Sequence, residues 1–127
     1  MSEVVLDASA LLAVLGSEPG ADVVEQVMAD ALMTTVSLAE VLTKLMDRGV
    51  PEAEAFDAIV GLDLNVIDVD MPLARASARL RAGTRQAGLS LGDRMCLALA
   101  ELRHLPVLTA DRAWADLALP LDIRVIR

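Results

Sequence analysis

Reactive side chains are scarce in this 127-residue chain, which holds one cysteine, one histidine, one lysine and no tyrosine. A single cysteine excludes a disulfide framework within the chain and suits a reducing, cytoplasmic setting. Within the apolar run Met95-Cys96-Leu97-Ala98-Leu99-Ala100 it reads as a small buried thiol. His104, in Arg103-His104-Leu105-Pro106, falls at a helix end, where a contact with the C-terminal dipole explains it; no nucleophile–histidine pairing is in view. Lys44 lies in an early helical stretch and none of the seven glycines forms a phosphate-cradling loop, which excludes a Walker-type nucleotide site. With Phe56 and Trp114 as its aromatic pair, the chain lacks a stacking platform for single-stranded nucleic acid, and Trp114 reads as packing. No apolar run reaches the length of a membrane span. The segment MSEVVLDASALLAVLG carries acids where a signal peptide needs positive charge.

What is present is a globular composition, 55% hydrophobic and 24% charged, on a length that suits one domain over residues 1–127. The net charge of -8 argues on its face against a polyanionic partner. The charge is unevenly spread, however. Residues 1–70 hold 14 acids against Lys44 and Arg48, whereas residues 71–127 hold 5 acids against 9 arginines, so the second part is positive by four. An acidic total therefore leaves room for a phosphate-bearing substrate handled by cations and local arginines.

Apolar patterning alternates strands with helices. Val4-Val5-Leu6 reads as a strand ending at Asp7, and Ala8 to Leu15 as a buried helix broken by Gly16-Ser17-Glu18-Pro19-Gly20. A helix over residues 21–30 and a strand over 33–36 follow. Ser37 is expected to open a helix with Leu38, Val41, Leu42 and Leu45 on one face. Residues 51–62 read as a further helix with proline in its first turn, and 66–69 as a strand. Asp70-Met71-Pro72 caps a helix turned inward by Leu73, Ala76 and Leu80. Its outward arc carries Arg75, Arg79, Arg81 and Arg85, which read first as a solvated face. The remaining expectations are an apolar helix over 93–102, a strand over 106–109, a short helix over 111–117 and a last strand over 123–126. Such alternation indicates an α/β domain with a mostly parallel sheet, where ligands bind beyond the carboxyl ends of the strands.

Four acids stand out against that pattern. Asp7 and Asp111 directly follow strands, Glu40 lies one turn into the helix after the second strand, and Asp93 opens the apolar helix. Each has a plain alternative. Ser37-Leu38-Ala39-Glu40 has the form of a capping box, Ser90-Leu91-Gly92-Asp93 resembles one, and Asp7 and Asp111 suit helix N-termini. Glu40 sits opposite the apolar stripe of its helix and is the easiest to leave in solvent. Asp93 is the hardest, because an acid opening a helix that is apolar on every side is costly unless something satisfies it. Converging carboxylates repel, and oxygen ligands without His or Cys suit Mg²⁺ or Mn²⁺. A cation so held can activate water and neutralise a phosphoryl oxygen, as phosphodiester hydrolysis requires.

The elements Val4-Val5-Leu6-Asp7-Ala8-Ser9, Ser37-Leu38-Ala39-Glu40-Val41, Leu89-Ser90-Leu91-Gly92-Asp93-Arg94 and Leu108-Thr109-Ala110-Asp111-Arg112-Ala113-Trp114 resemble the PIN domain. More narrowly, they are similar to the VapC-type toxins of type II toxin–antitoxin pairs, over essentially the whole chain. The resemblance implies a three-layer α/β/α sandwich around a central parallel sheet. It implies Asp7 and Asp93 as principal ligands of Mg²⁺ (or Mn²⁺), with Glu40 and Asp111 completing a catalytic pocket. Ser9 and Thr109 become hydroxyls near the metal or its waters, and Asp116 a further acid. The implied activity is endonucleolytic cleavage of RNA, restrained by a cognate antitoxin, in a chain that dimerises. Arg94 and Arg112, next to the site acids, are candidates to touch RNA.

Three other classes compete. A phosphoacceptor receiver domain would pair acids after the first strand and place a lysine after a late one, and neither is present. A nucleotide-binding module fails on its missing loop. A PIN fold kept as an inactive binding or regulatory module differs from the enzyme only in lacking metal-dependent cleavage.

Overall fold

The computed structural model describes residues 3–127, and its centre is a five-stranded parallel sheet ordered β3-β2-β1-β4-β5. The strands are β1 (Val4–Leu6), β2 (Ala31–Thr34), β3 (Asn65–Ile67), β4 (Val107–Thr109) and β5 (Ile123–Val125). The helices are α1 (Ala8–Leu15), α2 (Ala21–Glu25), α3 (Thr35–Asp47), α4 (Glu52–Val60), α5 (Met71–Arg79), α6 (Arg81–Thr84) and α7 (Leu91–Arg103), with 3₁₀ turns at 28–30, 85–87 and 112–116.

Strand alternation divides the interior in two. Val5, Leu32 and Val107 face a core filled by Leu73 and Ala76 of α5, residues 96–100 of α7, and Trp114. Val4, Leu6, Met33 and Leu108 face the other, where they meet Leu11 of α1, Val24 of α2, Val41 of α3 and Ile59 of α4. A period of two in the strands thus covers both sheet faces with helices, which is how an all-parallel sheet is buried. The result is the expected α/β/α sandwich. Buried against β1, β2 and β4 and packed on α3 and α5, α7 is apolar all round because it lies inside the molecule.

Several boundaries differ from those expected. The 21–30 helix breaks after Glu25 and resumes as a 3₁₀ turn. The second strand lies two residues earlier than 33–36, so Thr34, not Ser37, caps α3, its Oγ1 accepting from Ser37 N at 3.0 Å. Ser37 and Glu40 consequently form no capping box. The arginine-bearing helix is interrupted after Arg79, leaving Arg75 and Arg79 on α5 and Arg81 and Arg85 beyond it, all exposed. Asp70 caps α5 as expected, with its Oδ1 accepting from Leu73 N at 3.0 Å. His104 terminates α7 in the left-handed conformation at φ 56°, closing the helix with its backbone N–H.

The order β3-β2-β1-β4-β5 reverses winding at β1, and the crevice between the carboxyl ends of β1 and β4 is the ligand position of doubly wound sheets. Residues 16–20 and 126–127 close one flank of this edge. Gly20 has φ +94°, and a Cβ there would stand 2.7 Å from Ile126 Cγ1 and 2.8 Å from Ile126 O. Gly20→Ala should therefore destabilise by about 1–3 kcal/mol through overpacking and backbone strain. Gly83→Ala, with nothing within 4 Å of the added methyl, should stay within about 0.5 kcal/mol of wild type. Denaturant midpoints of the two variants test the contrast.

Candidate active site at the carboxyl edge of the sheet

Asp7 leaves β1 as the N-cap of α1 and is 4% exposed. Its Oδ1 accepts from Ala10 N at 2.9 Å and from the Ser9 hydroxyl at 2.7 Å. Its Oδ2 accepts from the Thr109 hydroxyl at 2.6 Å, across the junction of β1 and β4. Ser9 Oγ in turn accepts from Ala110 N at 2.9 Å, and Thr109 Oγ1 from Asp111 N at 3.0 Å. Two hydroxyls thus lock the end of β1 to the end of β4. Even with three donors, burial raises the Asp7 carboxyl above its usual range, helped by the charge of Asp93.

Asp93 occupies the third position of α7, where Ser90 is the N-cap. Asp93 Oδ2 accepts from Ser90 N at 3.0 Å and Ser90 Oγ accepts from Asp93 N at 3.1 Å, a complete capping box. Ligating and capping are compatible here, since a carboxylate has two oxygens and this box engages one of them. Glu40 is half-buried, not solvated as its position opposite the apolar stripe suggested. Burial first, then Asp93 and Asp7, push its carboxyl upward. The helix beside it makes room: a Cβ at Gly92 would lie 2.7 Å from Glu40 Cδ. Gly92 is thus a site residue that sequence reasoning passed over within Ser90-Leu91-Gly92-Asp93; a glycine one position before the acid of a capping box was the available signal.

Asp7, Glu40 and Asp93 share one field, and all three also raise the Cys96 thiol, which burial has already pushed up. The thiol is fully buried, as expected. Asp111 stands apart from that trio. It is exposed, caps the 112–116 turn through Oδ1 to Ala113 N at 3.0 Å, and does not figure among the charges that shift Asp7 or Glu40. Asp116, also exposed, shares a cleft with Asp93 and Asp111. Among the described residues no three Asp, Glu, His or Cys side chains converge closely enough to cage an ion as they stand. The donor chemistry nonetheless fits Mg²⁺, which takes oxygen ligands, keeps several waters and needs only one or two carboxylates. Arg94 lies partly buried against α5, with Nη1 donating to Ser77 O at 3.2 Å, and the Nε of exposed Arg112 donates to Arg127 O at 3.1 Å. Neither guanidinium is turned wholly to solvent.

A doubly wound parallel sheet with acids from β1, α3 and α7 in one field at its switch point defines a class of α/β proteins with an acidic, oxygen-only pocket. The PIN domain family model matches residues 4–119. The chain belongs to the PIN domain family, in its VapC-type branch. It is 31% identical over 119 residues to "Ribonuclease VapC" of Mycolicibacterium smegmatis, spanning 87% of this chain and 92% of that protein. Its fold superposes on a toxin-antitoxin complex from Klebsiella pneumoniae with TM-score 0.74 at 18% identity, covering 98% of each chain. DNA-bound VapBC from Salmonella typhimurium gives 0.72 at 18% identity, covering 98% of this chain and 97% of that one. A VapBC-family structure from Mycobacterium tuberculosis gives 0.64 at 25% identity, covering 100% and 99%.

A carboxyl whose pKa is raised by folding binds its proton more tightly in the folded chain, so its contribution to stability is present at low pH and is lost as pH rises through the raised pKa. In EDTA, wild-type protein should gain stability from Asp7 and Glu40 as pH falls from neutrality towards the ordinary carboxylate range. Glu40→Gln should melt no lower than wild type at neutral pH and show a flatter profile. A Glu40→Gln chain that is less stable at pH 7, with an unaltered slope, would contradict the shared field.

Proposed function

We propose that this chain is a Mg²⁺- or Mn²⁺-dependent endoribonuclease, the toxin of a toxin–antitoxin pair, and that residues 1–127 act as one PIN-like domain. The supporting observation is the field shared by Asp7, Glu40 and Asp93, drawn from three separate segments to the switch point of the sheet. Its relatives point the same way, one being named a ribonuclease and others solved as toxin–antitoxin complexes.

In this reading Asp7 and Asp93 hold the cation, and Asp111 completes the acidic rim. When bound, the cation would supply an activated water and neutralise charge on the scissile phosphate. Ser9 and Thr109 orient the Asp7 carboxylate through the bonds already described. Glu40, half-buried and raised in pKa, is suited to take the proton of the attacking water, because its burial favours the protonated form. Asp116 is a further acid of the rim. Arg94 and Arg112 each spend one donor on a backbone carbonyl and keep further N–H groups for phosphates. Among the described residues no helix is long and apolar enough to cross a membrane. Cytoplasmic RNA is the proposed substrate, and a homodimer the proposed assembly.

Purified chain, freed of any partner, should cleave a structured RNA with Mg²⁺ or Mn²⁺ and stop with EDTA. Asp7→Asn and Asp93→Asn should each lower the rate at least about 100-fold, the scale lost with a group that stabilises transition-state charge, while circular dichroism stays unchanged. Wild-type rates in both variants would overturn the acidic-pocket reading, whereas absence of cleavage by the wild-type chain would favour a binding module.

Expression of the chain alone should arrest growth, and co-expression with the short frame beside its gene should restore growth and yield a co-purifying complex. The partner should bring a basic residue towards the acids, by charge complementarity. Normal growth with folded wild-type chain accumulating in the cell would remove the toxin assignment.

A further inference from the structure

The acidic pocket makes no use of the arginines on α5 and beyond it. Residues 71–92 hold Arg75, Arg79, Arg81 and Arg85 and no acid, in a chain whose net charge is -8. Leu73, Ala76 and Leu80 turn inward onto α7, and buried Thr84 donates to Leu80 O at 2.7 Å, so the inward side continues past the break after Arg79. The four arginines are left outside and exposed. None has an ion-pair partner among the described residues, where the ion pairs belong to Arg124 and Arg127. This face adjoins the acids at two points. Arg94 Nη1, beside Asp93, donates to Ser77 O and ties the middle of α5 to the first turn of α7. Arg85 opens the 85–87 turn, and Ala87 and Gly88 line the cleft that Asp93 and Asp111 also line.

We propose that this arginine face carries the RNA backbone towards the acids, with phosphates on one side of the scissile bond lying against Arg75, Arg79, Arg81 and Arg85. The proposal rests on the ribonuclease reading for its polyanion. A strand drawn to a pocket of acids needs an approach of the opposite sign, and an uncompensated positive stretch beside the pocket supplies it. Guanidinium forks match phosphate oxygens in geometry as well as charge. The rest of the surface favours a nucleic-acid strand over a protein. Between residues 75 and 88 the other exposed positions are alanine, glycine and one glutamine. Exposed large apolar side chains stand only outside that stretch, at Met71 and Leu91. A protein partner anchors on aromatic or large apolar groups at the centre of its interface, and this face offers none. Small residues between arginines let a sugar–phosphate chain lie close. Without an aromatic for bases to stack on, the contact is to phosphate and is tolerant of sequence.

The test is binding of a short mixed-sequence RNA by the full chain in EDTA, read by fluorescence anisotropy across a series of KCl concentrations. Each phosphate neutralised on a single strand steepens the fall of log K with log salt by about 0.7. The fourfold variant Arg75→Gln, Arg79→Gln, Arg81→Gln, Arg85→Gln should bind more weakly and lose about 3 from that slope. Lysine at the same four positions keeps the charge and should keep the slope. Arg48→Gln and Arg103→Gln, exposed elsewhere on the chain, should leave it unchanged. A wild-type chain that binds no RNA, a slope unmoved by the glutamine variant, or controls that lower it as much per charge would overturn the proposal. Loss of a co-purifying protein partner with the RNA slope intact would overturn it too, and assign the face to that partner. Binding in EDTA requires no cleavage, so the two readings fail separately. A slope lost on fourfold substitution in a chain that cuts no RNA with Mg²⁺ would remove only the nuclease assignment. RNA cleavage with an unmoved slope would remove only the arginine face.

Discussion

Thr109 Oγ1 and Asp7 Oδ2 stand 2.6 Å apart across the seam between β1 and β4, joining segments 102 residues apart in the chain. The geometry of the candidate site depends on this contact. Ser9 Oγ links Asp7 to Ala110 N, and Thr109 Oγ1 links it to Asp111 N, so the positions of Asp7 and Asp111 are set by one hydroxyl network. A carboxylate this deeply buried would be prohibitive without donors. It has three, and burial still pulls its pKa upward. Burial therefore favours the protonated carboxyl at this position.

Local backbone duties and the proposed chemistry fall on the same side chains. Asp7 caps α1, Asp93 closes the capping box of α7, and Asp111 caps the 112–116 turn. The N-termini of α1 and α7 bring partial positive charge to the region where the acids gather, which offsets part of their mutual repulsion. Gly92 completes the arrangement by leaving the space over α7 that the Glu40 carboxylate fills. A larger residue there would displace the Glu40 carboxylate from its place beside α7.

The site divides into two acid groups that meet at Asp93. The trio with Asp7 and Glu40 is sunk at the sheet edge, whereas Asp111 and Asp116 rim the neighbouring cleft. Desolvation strengthens electrostatic effects in the first group and leaves the second close to water.

Residue type and local order were sufficient for the α/β class, the alternating elements, the Asp70 cap, the buried Cys96 and the capping box at Ser90–Asp93, since these follow from apolar patterning along the chain or from contacts within a few residues. The β2–α3 boundary was misplaced because Thr34-Thr35-Val36 is a run of β-branched residues with strand preference. Pairing of Val4 with Ala31 and Val5 with Leu32 sets where that strand ends, and Thr34 then becomes a cap. Glu40 looked solvated on its own helix because only the approach of α7 encloses it. Five acids, Asp116 included, could be singled out along the chain, yet their division into a trio around Asp7 and an exposed pair was decided by tertiary structure. Burial and mutual charge depend on distances between segments up to a hundred residues apart, and no local pattern encodes them.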